Sequence, residues 1–142
     1  MAGYHYKLEI IPNAYEVKSD EEEHEFWENE QPQKEMLEKF RLLLPISKNF
    51  GYSEEFRSKE NYSVLYIWWE NNLVWSIGFE YAPTETKDIL LTNVLNLCVD
   101  YGYSLFSEDT NVKVKPDKKS LWEDFKKCSR FHIYERRMDE FQ

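Results

Sequence analysis

The chain has 142 residues, the size of one ordinary domain, and area scaling has such a domain bury about 69% of its unfolded surface. Five Trp, ten Tyr and nine Phe supply the apolar area that a disordered chain lacks. A net charge of −9 disfavours contact with nucleic-acid phosphates, and no apolar run approaches the ~20 residues of a membrane helix.

The charge is uneven. Residues 1–110 carry 21 acids against 9 bases, while residues 111–142 carry 6 against 9. Either the basic C-terminal part folds back on the acidic body, or the body presents a negative face to a basic partner. Met1 to Leu8 show no export signal, so the expected compartment is the cytoplasm, where Cys98 and Cys128 stay unbridged thiols.

In chain order, Tyr4, Tyr6, Leu8 and Ile10 alternate with polar residues, which predicts a half-buried strand closed by Pro12-Asn13. Residues 14–31 set eight acids against one base, Lys18, and read as an acidic loop or frayed helix pinned by Phe26 and Trp27. Pro32 suits a first helical turn, and Met36, Leu37, Phe40, Leu43 and Leu44 form one apolar stripe that Pro45 ends. Residues 46–60 read as a polar loop with a short helical turn near Ser53–Phe56.

Tyr62–Glu70 and Leu73–Tyr81 predict a hairpin about Asn71-Asn72, because Asn tolerates positive φ. On its second arm Leu73, Trp75, Ile77, Phe79 and Tyr81 are expected to share a face. The first arm is apolar on both sides, as a central strand or a strand with an exposed aromatic patch. Thr84 is the expected N-cap of a helix that buries Leu90, Val94, Leu97, Cys98 and Tyr101 and stops at Gly102. Tyr103–Phe106 and Val112–Lys115 follow as short strands. Ser120-Leu-Trp-Glu123 reads as a capping box opening a helical extension over residues 117–142, with Leu121, Trp122 and Phe125 inward. Residues 130–142 either extend that helix or form an edge segment.

The order β-α-β-β-α-β plus a helix predicts a single α+β domain over residues 1–142. Short right-handed connections fold it as a ferredoxin-like sandwich of four antiparallel strands with two helices on one face. An acidic insertion after the first strand and an extra C-terminal helix are added to that pattern.

The motifs exclude more than they assign. Gly3, Gly51, Gly78 and Gly102 are isolated, so no phosphate-cradling loop exists, and there is no G-x-S-x-G. Glu21-Glu22-Glu23-His24-Glu25 lacks the glycine turn of a calcium loop. Cys128 and His132 would share a helix face, which two surface residues explain better than a metal or thiol pair does. No cofactor or metal is expected. Glu70 and Glu80 flank the hairpin and are expected to face each other. The rings Tyr62, Tyr66, Trp68, Trp69, Trp75 and Tyr81 suit base stacking, but residues 61–86 hold no Lys or Arg to accompany it. A ring-packed core or an exposed patch for a protein partner remains.

No family motif is present. The profile predicts a non-enzymatic, cytoplasmic protein-binding domain that shows an acidic and aromatic surface to a basic protein. In composition it matches inhibitors and immunity proteins that neutralise basic toxins. The expected contact residues are Glu21, Glu22, Glu23, Glu25, Trp27, Trp68 and Trp69. The alternatives are a small-molecule-binding regulatory module acting as a homodimer, an enzyme pairing a carboxylate with His5 or His132, and a DNA mimic.

Overall fold

The computed structural model describes residues 5–17, 24–43, 46–58, 63–83 and 88–128. Among these the chain forms β1 (Tyr6–Pro12), α1 (Lys34–Leu43), β2 (Ile46–Asn49), β3 (Ser53–Arg57), β4 (Ser63–Glu70) and β5 (Leu73–Tyr81). It continues through α2 (Ile89–Tyr101), β6 (Tyr103–Ser107), β7 (Val112–Val114) and α3 (Lys118–Phe125). The strands join one antiparallel sheet in the order β2-β3-β4-β5-β1-β6-β7. The expected four-stranded ferredoxin-like sandwich with two helices is therefore corrected: the α+β fold has a seven-stranded sheet and three helices. The strands of the expected sandwich stand together in its middle, as β4-β5-β1-β6; β7, also read from the sequence as a short strand, lies at one edge and the unexpected β2–β3 hairpin at the other.

The largest addition is the β2–β3 hairpin, in a segment expected to be a loop. Its turn closes where the Gly51 N–H donates to Asn49 Oδ1 at 2.8 Å, and Gly51 takes a φ of 88° that favours glycine. Phe56 is its one fully buried ring. Arg41 of α1 fixes the hairpin from above, donating to the two Glu54 oxygens at 2.9 and 2.6 Å. Charged residues on an edge strand also discourage a further chain from pairing there.

Register separates the two faces of the sheet. Pairing sets Tyr6 opposite Tyr81, Leu8 opposite Phe79 and Ser107, and Ile10 opposite Leu105. It extends the same face through Leu65 to Phe56. This face is buried and carries the helices: Phe125 of α3 meets Tyr6 edge-on at 5.5 Å, and Asp88 before α2 accepts from Ser63 Oγ at 2.9 Å. The other face shows Lys7, Glu9, Glu55, Arg57, Tyr66, Gly78 and Glu80. Part of it is covered near β6, where Phe26, His24 and Phe106 pack together. Phe26 and Trp27 do pin the acidic segment to the body, and both are buried.

The helix ends follow capping chemistry with shifted positions. Asp88 caps α2, its carboxylate accepting from the Leu91 N–H at 3.1 Å, and the expected cap Thr84 lies outside the described residues. Gly102 ends α2 in the left-handed region, as expected. α3 starts one cap earlier than the sequence suggested, because Asp117 accepts from the Ser120 N–H at 2.7 Å. Leu121 and Phe125 are buried while Trp122 stays exposed.

Candidate protein-binding surface

The sheet departs from its pattern at the tip of the β4–β5 hairpin. Asn71 and Asn72 have φ of 53° and 66°, the paired positive values of a two-residue type I′ turn. Pairing is regular down to Trp68 opposite Ser76, then resumes as Trp69 opposite Val74. Trp75 is the residue left over, a β-bulge. One extra residue moves the following side chains to the opposite face. Val74 therefore turns inward at 3% exposure, whereas Trp75 stands out at 47% and Leu73 is exposed as well. The expectation that Leu73 and Trp75 share the buried face of Ile77 is corrected by this bulge.

Trp68 is 41% exposed and stacks on Tyr52 with ring centroids 5.8 Å apart and planes at 25°. The backbone holds that stack in place: the Trp69 N–H donates to the Tyr52 carbonyl at 2.8 Å. Trp68, Trp69, Glu70, Trp75 and Ser76 line a shallow concavity of about 510 Å³. On the other side of Trp75 a second hollow of about 270 Å³ adjoins Trp27, Gln31 and Glu70. Gln31 fixes the bulge there by accepting from the Val74 N–H at 2.8 Å and donating to its carbonyl at 3.1 Å. Its side-chain amide thus satisfies backbone groups lying beyond the β1–β5 ladder, which ends at Glu9 opposite Gly78.

The electrostatics of this end are negative. Among the described residues the larger concavity is lined by Glu70 and no Lys or Arg. Two bases of the open face are engaged elsewhere, Lys7 with Glu80 at 3.7 Å and Arg57 with Glu55, and Lys48 lies on β2 opposite Glu55. Beneath the concavity, Ser76 Oγ donates to Glu9. Burial pushes the Glu9 carboxyl up to about 7, the Ser76 hydrogen bond opposes this, and Glu108 adds to it.

The expected contact residues fall into separate places. Glu21, Glu22 and Glu23 lie outside the described residues. Glu25 is exposed on the segment laid over β6, whereas Trp68 is on β4. With β5 and β1 between those strands, they are roughly 14 Å apart across the sheet. Trp27 is corrected as a contact: it is 2% exposed and packs edge-on to Tyr103 at 5.4 Å. Trp69 is half-buried against the core, and the indole N–H groups of Trp27 and Trp69 have no acceptor among the described residues. Tyr52 is not singled out by the sequence, and Trp75 is named there only among the rings read as a packed core or an exposed patch. The two-sided apolar character of the first arm was the available signal for an aromatic patch.

Other candidate chemistry is dispersed. Glu70 and Glu80 do not face each other, since Glu80 pairs with Val64 and Lys7 while Glu70 pairs with Leu73 at the tip. Nδ1 of His5 is 4.0 Å from Glu80, and His132 lies outside the described residues. Cys98 and Cys128 are free and buried, and burial pushes both thiols up to about 12, far from thiolate reactivity. Among the described residues no group of three His, Cys, Asp or Glu is placed to hold a metal ion. No helix among them is long and apolar enough to cross a membrane. Compared with family models, with curated proteins and with solved structures, the chain finds no match.

Proposed function

We propose that this chain is a non-catalytic, cytoplasmic protein-binding domain whose contact surface is the aromatic tip formed by Trp68, Trp75 and Tyr52. Its partner is a basic protein. The bulge at Trp75 carries the reading. It places a second indole in water beside Trp68, and leaving nearly half of each ring exposed forgoes roughly 2 kcal/mol per ring at ~25 cal/mol/Å². A partner that covers the tip recovers that burial. Trp and Tyr are the residues that anchor protein interfaces, and the net charge of −9 speeds the approach of a basic surface. In this reading Glu25 and the acids at 21–23 steer the encounter, and the indoles slow dissociation.

The test pairs capture with direct binding. Tagged wild-type protein and the Trp68→Ala/Trp75→Ala variant are incubated with lysate at low and high salt, and any retained protein is purified and titrated calorimetrically. The reading expects a basic protein held by wild type, weakened by salt, and bound at least 100-fold more weakly by the variant. Equal binding by a folded variant refutes it. A stable homodimer in light scattering, with the tip buried in it, would transfer the surface to self-association.

A further inference from the structure

We propose that the concavity between Trp68 and Trp75 is a socket for an arginine side chain of the partner, with Glu70 as its counter-ion. This rests on the protein-binding reading and assigns the chemistry of its anchor. Strand alternation places Trp68 and Glu70 on the same side of β4, and pairing places Ser76 opposite Trp68. The bulge then brings Trp75 to the same concavity. Two indoles and a carboxylate therefore border one depression that is lined by no Lys or Arg among the described residues.

Three features select a guanidinium as occupant. Indole is the best aromatic partner for a cation, and a planar guanidinium stacks on it where a tetrahedral ammonium touches it at one point. The depression is shallow and open to water, so it cannot strip the firm hydration shell of a lysine, whereas guanidinium is weakly hydrated. Glu70 offers two oxygens to the fork of an arginine. Among the described residues, the cations of this face stand away from the depression, with Arg57 on Glu55, Lys7 on Glu80 and Lys48 on β2 opposite Glu55.

The probe is a short peptide, acetyl-Gly-Arg-Gly-amide, titrated into protein labelled with ¹⁵N. The five tryptophan N–H signals are assigned with single Trp→Phe variants. The socket predicts that the Trp68 and Trp75 signals move together and saturate in the millimolar range, while that of Trp27 stays fixed. A lysine peptide should bind about five-fold more weakly, and a citrulline peptide, which keeps the shape without the charge, should move neither signal. Glu70→Gln preserves shape and should weaken the arginine peptide about ten-fold, with the thermal midpoint confirming an intact fold.

Equal shifts with citrulline, shifts confined to other tryptophans, or unchanged affinity in Glu70→Gln would overturn the socket. Such a failure is separable from failure of the broader reading. If capture of the partner still depends on Trp68 and Trp75, the surface stands and only its arginine occupant is wrong. If the peptide binds as predicted while capture ignores both tryptophans, the socket stands as a cation site and the protein-binding reading falls.

Discussion

The two faces of the sheet are built from alternate residues of the same strands, yet they meet different fates. On the helical face Leu8, Ile10, Phe56, Leu65, Ile67 and Phe79 are excluded from water, with Tyr6 and Phe125 closing the end. On the other face, positions one residue away hold Lys7, Glu9, Glu80, Arg57 and Tyr66. Period-two alternation explains the contrast without further assumption. The tip of the β4–β5 hairpin breaks it, because there large indoles stand on the uncovered side. The contrast teaches where to look for function: an open face that is polar or covered over most of its area but leaves indoles in water at one corner has a use for that corner.

Phe79 and Gly78 are neighbours in β5 on opposite faces, so they bracket the range of expected effects. Phe79→Ala removes a fully buried ring and should cost about 4 kcal/mol in urea denaturation. Second in size is Glu9, the open-face carboxyl that burial holds near neutrality. Unfolded, it ionises around pH 4.5; folded, around pH 7, so the native chain binds the extra proton between those values. Stability should therefore fall as pH rises through that window and level off above it. Glu9→Gln keeps an acceptor for Ser76, removes the dependence, and should exceed wild type by up to about 3 kcal/mol at pH 8. Denaturation at pH 5 and pH 8 checks this, and a gap that fails to widen with pH contradicts it.

A smaller effect belongs to Asp88. Its carboxylate caps α2 and accepts from Ser63, and its second oxygen has no partner. Asp88→Ala should lower stability by about 1–2 kcal/mol, read as a drop in the urea midpoint at unchanged slope. Smallest is Gly78→Ala. A methyl group there meets Tyr66 Cδ2 at 3.7 Å, an ordinary contact, so thermal melting should change by less than the equivalent of about 0.5 kcal/mol.

Local chemistry made much of this legible from residues alone. The alternation Tyr6-Leu8-Ile10, the stripe Met36-Leu37-Phe40, the Asn71-Asn72 turn and the Gly102 stop each act over a few residues, and each forms as read. What escaped depends on distant partners. β3 offers one buried ring, Phe56, among Ser53, Glu54, Glu55 and Arg57, and such a segment becomes a strand only because β4 is beside it. Those extra strands are what turned the expected four-stranded sandwich into a seven-stranded sheet. The bulge is equally non-local. Leu73, Trp75 and Ile77 alternate faultlessly, yet Val74 takes the inward position, its backbone held by Gln31, a residue 43 positions away. For the same reason the alternation could not show which rings, Trp68, Trp75 or Trp27, stay open to water.

The most direct test of the central claim sets two tryptophans against each other. Trp27→Ala and Trp75→Ala are compared in one urea series and in one partner-capture experiment, so that folding and binding are read on the same samples. The account predicts that Trp27→Ala loses about 3–5 kcal/mol of stability, whereas Trp75→Ala loses about 1 kcal/mol yet no longer retains a basic partner. Retention of that partner by folded Trp75→Ala, or a stability loss as large as that of Trp27→Ala, would contradict it.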